Sequence, residues 1–221
     1  MSNISAITFD CYGTLIDWEK GLKETLREIL GGKNLKINID ELLNEWLKQD
    51  LSGVKGSYKP YKEILKISLK KSFSKFGIPY EDSDGQALVS SMPEWKAFPD
   101  VKPTLQELSE HYKLAIISNV DDDIISRTLQ QIDFFLLVIT SQQAKIYKPS
   151  IEIFKYALQK FGFDPRHVMH VAFSFEYDIK PAVQLGMNTV WLNRKMEPAP
   201  KEPKPNHVIK QLYDLREILS L

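Results

Sequence analysis

Polar residues that can do nucleophilic chemistry follow each of four predicted strands in this sequence. They are Asp10 after the first strand, Ser118 and Asn119 after the second, Lys148 in the loop after the third, and Ser174 and Asp178 after the fourth. Ligands bind at the carboxyl ends of the strands in open parallel sheets. We therefore expect these side chains to meet in one site.

The chemistry that these residue types favour starts with Asp10 as a covalent nucleophile. A carboxylate attacks well only while it is ionised, so positive charge or hydrogen-bond donors must hold its pKa down. Lys148 can supply the charge, and backbone N–H groups around Gly13 and Thr14 can supply donors. Once Asp10 has formed an ester, Asp178 is the candidate to orient or activate the water that hydrolyses it.

Short hydroxyl groups complete this set, and each assignment has a plainer alternative. Thr14 and Ser118 could orient Asp10 or a substrate. In the plainer interpretation, Asp10 is a turn residue, Lys148 is a solvated lysine and Asp178 caps the helix that follows. The flanking motifs favour the catalytic interpretation of all three residues.

The region between residues 17 and 96 has helical spacing of its apolar residues, and we predict no strand between Asp17 and about Met92. The predicted helical faces are Trp18, Leu22, Leu26 and Ile29; Leu42, Leu43, Trp46 and Leu47; and Tyr61, Leu65, Leu69, Phe73 and Phe76. Asn38 with Glu41 resembles a capping box at the start of the second helix. This region is therefore expected to be all-helical.

Strands and helices alternate after Phe98, and a further strand, Ile4–Phe9, precedes Asp10. The later strands are predicted at Leu114–Ile117, Leu136–Ile139, Val168–Ala172 and Thr189–Leu192. Such alternation implies a parallel sheet with helices on both faces. The predicted fold class is α/β, with a doubly wound, Rossmann-like core at residues 1–16 and 97–221. An all-helical cap at residues 17–96 interrupts this core after its first strand.

Composition argues against several classes of protein. Lys plus Arg and Asp plus Glu each number 29 among 221 residues, so the bulk charge favours neither nucleic acid nor an anionic membrane. Cys11 is the only cysteine, no apolar run approaches a membrane span, and the first ten residues lack a signal pattern. We expect a cytoplasmic protein. The histidines lack metal-ligand spacing, and the acidic run Asp121–Asp123 fits a helix N-terminus.

The segment Asp10-Cys11-Tyr12-Gly13-Thr14-Leu15 closely resembles the first signature of the haloacid dehalogenase superfamily. Ser118 and Lys148-Pro149 fall where the second and third signatures belong, and Ser174 to Asp178 resembles a degraded fourth. The resemblance covers nearly the whole chain, including the inserted cap. It implies an aspartyl-ester hydrolase with Asp10, Lys148 and Asp178 as catalytic residues. The substrate-binding residues that it implies are Tyr12, Thr14, Ser118, Asn119 and Ser174.

Two positions in this resemblance separate its branches. Magnesium-dependent phosphatases of the superfamily carry a second aspartate where this chain has Tyr12, and Gly-Asp where it has Ala172-Phe173. A tyrosine is a poor acid near neutral pH, and a phenyl ring is no ligand for magnesium. The 2-haloacid dehalogenases have a tyrosine at the Tyr12 position and use no magnesium. The segment Val190–Arg194 also resembles theirs.

The leading hypothesis is hydrolytic dehalogenation of a small 2-haloalkanoic acid to a 2-hydroxy acid, with no cofactor and no metal. The substrate would be a small anion, and the resemblance allows a homodimer. The chain departs from the branch where a cap arginine holds the substrate carboxylate: Trp46–Gln49 stands there, with Lys48 as a candidate replacement. In the fourth signature, Phe173, Phe175 and Glu176 stand where the branch has an asparagine. Two alternatives stay open, a magnesium-dependent phosphatase on a small phosphate ester and a catalytically silent binding relative.

Overall fold

A computed structural model describes residues 4–33, 35–198 and 200–221. The chain divides into two compact units. The core unit combines Met1–Ile16, Ala97–Asn119 and Gln131–Leu221, and the helical unit combines Asp17–Lys96 with Val120–Gln130. The helical unit thus includes residues 120–130, which the sequence analysis placed within 97–221 of the core. The roles of hydrolase core and cap stay predictions.

The core unit is built on a six-stranded sheet whose paired strands are all parallel. The strands are β1 Ala6–Phe9, β2 Lys113–Ser118, β3 Leu137–Thr140, β4 Val168–Ala172, β5 Asn188–Leu192 and β6 His207–Ile209. Their order is β3-β2-β1-β4-β5-β6. This is the doubly wound order, in which successive strands are added first on one side of β1 and then on the other. The predicted α/β fold class is confirmed.

The helices follow the predicted alternation. They are α1 Trp18–Gly32, α2 Ile39–Lys55, α3 Tyr61–Lys75, α4 Asp82–Ser91, α5 Val101–His111, α6 Asp122–Thr128, α7 Ser141–Ala144, α8 Ile151–Phe161, α9 Lys180–Gln184 and α10 Leu215–Leu219. Ser150 caps α8 by accepting from the Glu152 N–H, and Gly162 ends it at φ 75°. No helix among the described residues has the length and apolar character needed to cross a membrane.

Burial of apolar residues explains why β1 lies at the centre of the sheet. All four of its residues, Ala6 to Phe9, are buried, and it pairs with both β2 and β4. Strands covered on both faces carry near-continuous apolar runs of this kind. The run in the sequence starts at Ile4, but the strand begins at Ala6. The sequence reasoning missed β6, which is a short edge strand with two exposed residues.

The helical unit agrees with the predicted helices and adds one. Asn38 caps α2 by accepting from the N–H groups of Asp40 and Glu41. Glu41 accepts in return from the Asn38 side-chain amide at 3.0 Å and not from its backbone N–H, so the predicted capping box is only half formed. The added helix, α4, is short and rich in polar residues, so its apolar periodicity is weak. Glu81 begins it with a capping box of its own. In agreement with the sequence reasoning, the described part of 17–96 contains no strand.

Asp121 explains why residues 120–130 belong to the helical unit. The residue at the start of α3, Pro60, has no side-chain oxygen to cap that helix. Asp121 accepts instead from the N–H groups of Tyr61 and Lys62, at 3.0 and 2.8 Å. Free N–H groups at a helix N-terminus favour a carboxylate in this way. Asp121 therefore caps α3 from 60 residues away in sequence, while Asp122 and Asp123 lie in the first turn of α6.

Candidate active site

Asp10 lies directly beyond the central strand of the core unit. Its N–H donates to the Val171 carbonyl at 3.2 Å, which continues the pairing of β1 with β4 by one residue. The chain then turns back, because the Leu15 N–H donates to the Cys11 carbonyl and the Gly13 N–H to the Ile16 carbonyl. This turn leaves Asp10 only 6% exposed at the carboxyl end of the sheet.

Lys148 joins the two candidate carboxylates. Its Nζ lies 2.7 Å from Asp10 Oδ1 and 2.6 Å from Asp178 Oδ1, and it also donates to the Ile117 carbonyl at 3.0 Å. An ammonium group has three N–H donors, so these contacts use all of them. Lys148 is 2% exposed and Asp178 is 1% exposed. The ammonium is therefore held in one position between two buried acids.

Asn119 fixes the backbone that carries Lys148. Its Nδ2 donates to the Lys148 carbonyl at 3.0 Å, and its Oδ1 accepts from the Lys148 N–H at 2.7 Å. Both polar atoms of the amide are thus used on one residue across 29 positions of sequence. The sequence reasoning assigned Asn119 to substrate binding. Here its amide positions Lys148, and its contact with substrate stays a prediction.

Thr14 connects the nucleophile candidate to the loop after β4. Its hydroxyl donates to Asp10 Oδ2 at 2.8 Å and accepts from the Phe173 N–H at 3.0 Å. The sequence reasoning expected backbone N–H groups around Gly13 and Thr14 to stabilise Asp10. The Thr14 side chain supplies one donor and the Gly13 N–H is used within the turn, so a backbone contribution to Asp10 stays a prediction.

Gly13 and Phe173 fit against each other. Gly13 has φ +100°, a backbone conformation that favours glycine. A Cβ at this position would lie 2.4 Å from Cε1 of Phe173. The Trp191 indole N–H donates to the Phe173 carbonyl at 2.9 Å and fixes that loop from the other side. Residue 13 must therefore be glycine for two reasons, its φ angle and the ring beside it.

Ser174 begins the turn that carries Asp178. Its hydroxyl oxygen accepts from the Tyr177 N–H at 3.2 Å, and the wide turn Phe175–Ile179 follows. Asp178 Oδ1 also lies 3.2 Å from Nε2 of the buried His170. The Ser174 side chain thus shapes this turn in the structure, and its predicted contact with substrate stays a prediction.

The buried charges shift one another's pKa values. Burial raises the pKa of Asp10 above its usual value, and the Asp178 charge acts in the same direction, against Lys148 and Thr14. Burial also opposes ionisation of Asp178, but Lys148 and His170 bring its pKa below the usual value. The two carboxylates raise the pKa of Lys148 despite its burial. Asp178 and Lys148 are thus favoured as an ion pair. Of the two carboxyl groups, Asp10 is the more readily protonated.

A comparison with models of protein families identifies the family that carries these residues. The model of haloacid dehalogenase-like hydrolases matches residues 4–186, a range that includes Asp10, Lys148 and Asp178. The chain belongs to the haloacid dehalogenase-like hydrolase family. It is therefore a hydrolase, as the motif at Asp10–Leu15 predicted.

Several relatives of this haloacid dehalogenase-like hydrolase match over nearly its full length. The (S)-2-haloacid dehalogenase 4A of Burkholderia cepacia is 28% identical, over 100% of this chain and 96% of the relative. A glyceraldehyde 3-phosphate phosphatase of Methanocaldococcus jannaschii is also 28% identical, over 98% of this chain and 97% of the relative. A crystal structure of a dehalogenase superposes with a TM-score of 0.89 at 24% identity, covering 100% of this chain and 99% of the other. That last likeness shows the fold.

Two further residues that the sequence reasoning assigned to this hydrolase's substrate are Ser118 and Tyr12. Ser118 ends β2 opposite Thr140 of β3 and is buried. Tyr12 is half-buried and forms an isolated backbone bridge with Ile16. Both stay predictions as substrate contacts.

Sequence reasoning missed a second polar network in the core unit. Arg194 makes two hydrogen bonds to the Asp100 carboxylate, at 2.8 and 3.0 Å, and donates to the Thr14 carbonyl at 3.1 Å. Its guanidinium also lies 4.0 Å from the centre of the Phe98 ring. Asp100 in turn accepts from the Leu212 N–H at 2.6 Å. Arg194 thus holds the loop after the nucleophile candidate, and the segment Val190–Arg194 was the only signal of it in the sequence.

The residues present do not fit a magnesium site of the kind the family's phosphatases use. Among the described residues, no group of three or more His, Cys, Asp or Glu could hold a metal ion. At the position where the phosphatases have an aspartate, the Phe173 ring packs against Gly13 and offers no oxygen. Asp10 Oδ1 and Asp178 Oδ1 are both already paired with the Lys148 ammonium. We therefore assign no step to a metal.

Proposed function

We propose that this hydrolase removes halide from a small 2-haloalkanoic acid and forms the 2-hydroxy acid without a metal. The observation that carries the proposal is the environment of Asp10: an ammonium at 2.7 Å on one oxygen, a hydroxyl at 2.8 Å on the other, and the phenyl group of Phe173 behind the Gly13 turn. Halide leaves as a stable anion, so this reaction needs neither an acid at Tyr12 nor a metal.

The first half of the proposed reaction is displacement at carbon. An Asp10 carboxylate oxygen attacks the α-carbon, the new C–O bond forms, and the carbon–halogen bond breaks with its electron pair leaving on the halide. Lys148 and Thr14 hold the carboxyl in one orientation, so no rotational freedom is lost at the moment of attack. The product of this half is an ester between Asp10 and the acid.

The second half is hydrolysis of that ester. Water attacks the Asp10 carbonyl carbon while Asp178 accepts a proton from it. The tetrahedral intermediate then collapses as that proton passes to the leaving alkoxide oxygen, which releases the 2-hydroxy acid. One oxygen from water stays on Asp10. The lowered pKa of Asp178 favours the ionised form that can accept this proton; burial opposes the shift, and Lys148 and His170 produce it. Overall, one water is consumed, and one halide ion and one proton are released.

Halide release with excess chelator tests the proposal directly, with chloroacetate and both enantiomers of 2-chloropropionate as substrates. The name of the Burkholderia relative favours the (S) enantiomer. Wild-type protein should release halide, and Asp10→Asn should not. A single turnover in ¹⁸O-labelled water should then leave the label on Asp10. Label found in the product and absent from Asp10 would mean direct attack by water, and the nucleophile assignment would be wrong.

A phosphatase is the second candidate, because a glyceraldehyde 3-phosphate phosphatase matches at the same 28% identity as the dehalogenase. Its test is phosphate release from an aryl phosphate and from glyceraldehyde 3-phosphate, with and without magnesium. Magnesium-dependent phosphate release without halide release would replace our proposal with this one. Release of neither product would favour the third interpretation, a silent relative that binds a ligand.

A further inference from the structure

His170 is a buried imidazole that the reaction proposed above does not use. It lies in β4, is fully buried, and its Nε2 is 3.2 Å from Asp178 Oδ1. Its ring and the Phe154 ring form a T-shaped pair, with centroids 5.2 Å apart and planes at 84°. A polar ring in such a position must be hydrogen-bonded to offset the cost of its burial. The identity of its partners therefore decides what the ring does.

Thr8 is the partner on the other side of the ring. Thr8 of β1 and His170 of β4 are paired in the parallel sheet, and Thr8 Oγ1 lies 2.8 Å from His170 Nδ1. The contact of the same hydroxyl with the Met169 carbonyl is longer, at 3.5 Å. The hydroxyl is therefore oriented mainly by the ring. Strand β4 carries the imidazole, and Thr8 of β1 and Phe154 of α8 hold it in one orientation.

The chemistry of the two contacts selects one tautomer. An ionised carboxylate only accepts hydrogen bonds, so Asp178 needs an N–H on His170 Nε2. In a neutral ring, Nδ1 then carries the lone pair and must accept, and the Thr8 hydroxyl can donate to it. The chain of donors thus runs from Thr8 through His170 to Asp178.

We propose that Thr8 and His170 are positioning residues that orient the Asp178 carboxylate for the ester-hydrolysis half of the reaction. The inference rests on the proposed function and extends it. Lys148 contacts both acids, so its loss would affect both halves. The described contacts of His170 in the site reach Asp178 and not Asp10. Removing the imidazole should therefore slow ester hydrolysis and spare ester formation.

Variants at residue 170 separate the two halves of the reaction. With excess 2-chloropropionate, His170→Leu should release one halide per active site in a burst at close to the wild-type rate. Its steady-state rate should then fall about 10- to 100-fold. Mass spectrometry of the Asp10 peptide should show the accumulated ester. His170→Gln keeps an N–H donor near the Nε2 position and should recover a large part of the steady-state rate.

Thr8 offers a matched pair of variants that leave residue 170 intact. Thr8→Val removes the hydroxyl at nearly constant shape and should give the same accumulation of ester in milder form. Thr8→Ser keeps the hydroxyl and should behave as wild type. Equal slowing of the burst and the steady state in His170→Leu and Thr8→Val, without ester, would overturn the proposal.

Nitrogen NMR of the His170 ring gives a readout that does not depend on turnover. The wild-type ring should carry a proton on Nε2, and Thr8→Val should shift the Nδ1 resonance while Thr8→Ser should not. A proton on Nδ1 would overturn the donor chain even in an active enzyme. Absence of halide release from wild type would instead contradict the proposed function, and the NMR result would still decide whether His170 donates to Asp178.

Discussion

Lys148 Nζ lies 2.7 Å from Asp10 Oδ1, and both side chains are less than a tenth exposed. Removing one partner of such a buried pair leaves an uncompensated charge. We therefore predict that Lys148→Met lowers the free energy of unfolding by about 3–5 kcal/mol at pH 7. This loss of free energy of unfolding should become smaller as the pH falls, because the carboxyls of Asp10 and Asp178 then become protonated. Halide release should fall by about 100- to 1000-fold, because Asp10 loses the positive charge that orients its carboxyl and favours the ionised form.

An exposed ion pair provides the control for this variant. Lys155 contacts Glu152 at 2.8 Å, but about half of each side chain is exposed. Lys155→Met should change the free energy of unfolding by no more than about 0.5 kcal/mol and leave halide release unchanged. Urea denaturation of both variants at pH 7 and pH 5 checks the comparison. If Lys148→Met lost as little free energy of unfolding as Lys155→Met, the stabilising role of Lys148 would be contradicted.

The parts of this site that the sequence predicts are the parts encoded locally. Asp10 follows a run of apolar residues and precedes a glycine, so its place at the end of a buried strand can be read from neighbouring residues. The same holds for Lys148 and Asp178, which follow predicted strands. The parallel sheet with helices on both faces also follows from strands that alternate with helices.

Contacts between distant residues are the parts that the sequence does not predict. A histidine inside an apolar run fits a packed strand residue, and its contact with Asp178 depends on the turn after β4. Asp100 and Arg194 are 94 positions apart, and neither has a periodic pattern that links them. Asp121 was interpreted as part of an acidic first turn. Its capping of α3 depends on tertiary packing that no local pattern encodes.

Phe173 should determine whether this fold can hold magnesium. We predict that Phe173→Asp, which places a carboxylate beside the Gly13 turn, binds Mg²⁺ at least about tenfold more tightly than wild type, a difference of about 1.4 kcal/mol. Isothermal titration with magnesium chloride measures this. Phe173→Leu is the control, since it also loses the ring and gains no oxygen. Wild-type halide release should be the same in chelator and in magnesium; a rise with magnesium would contradict metal-free catalysis.

The acid limb of the pH–rate profile should report the ionisation of Asp10. Only the carboxylate attacks, and burial raises the pKa of Asp10, so activity should be lost at a pH above that of an ordinary aspartate. Thr14→Val removes a donor that lowers this pKa, and the limb should move to higher pH. Asp178→Asn removes a charge that raises it, and the limb of the halide burst should move to lower pH. Shifts in the same direction for both variants would contradict this assignment.

Asp50 in α2 should make the stability of the protein depend on pH. Burial raises the pKa of Asp50 to about 7, against a hydrogen bond from Tyr61, and its Oδ1 is buried with no partner among the described residues. Between the unfolded pKa near 4 and the folded value, the folded state binds more protons, so this contribution to stability falls as the pH rises. Asp50→Asn cannot ionise. At pH 8.5 it should therefore be more stable than wild type by about 2–4 kcal/mol, and at pH 4 nearly equal to it.

Urea denaturation at both pH values measures this difference, with Asp133→Asn as the matched control. Asp133 is exposed, so its substitution should change the free energy of unfolding by less than about 0.5 kcal/mol at either pH. The sign of the effect is informative, because loss of a stabilising carboxylate would make the variant less stable at high pH. If Asp50→Asn is less stable than wild type at pH 8.5, the ionised carboxyl of Asp50 is well solvated or paired. A difference that is constant from pH 4 to pH 8.5 would mean that the effect comes from packing and that Asp50 does not titrate in this range.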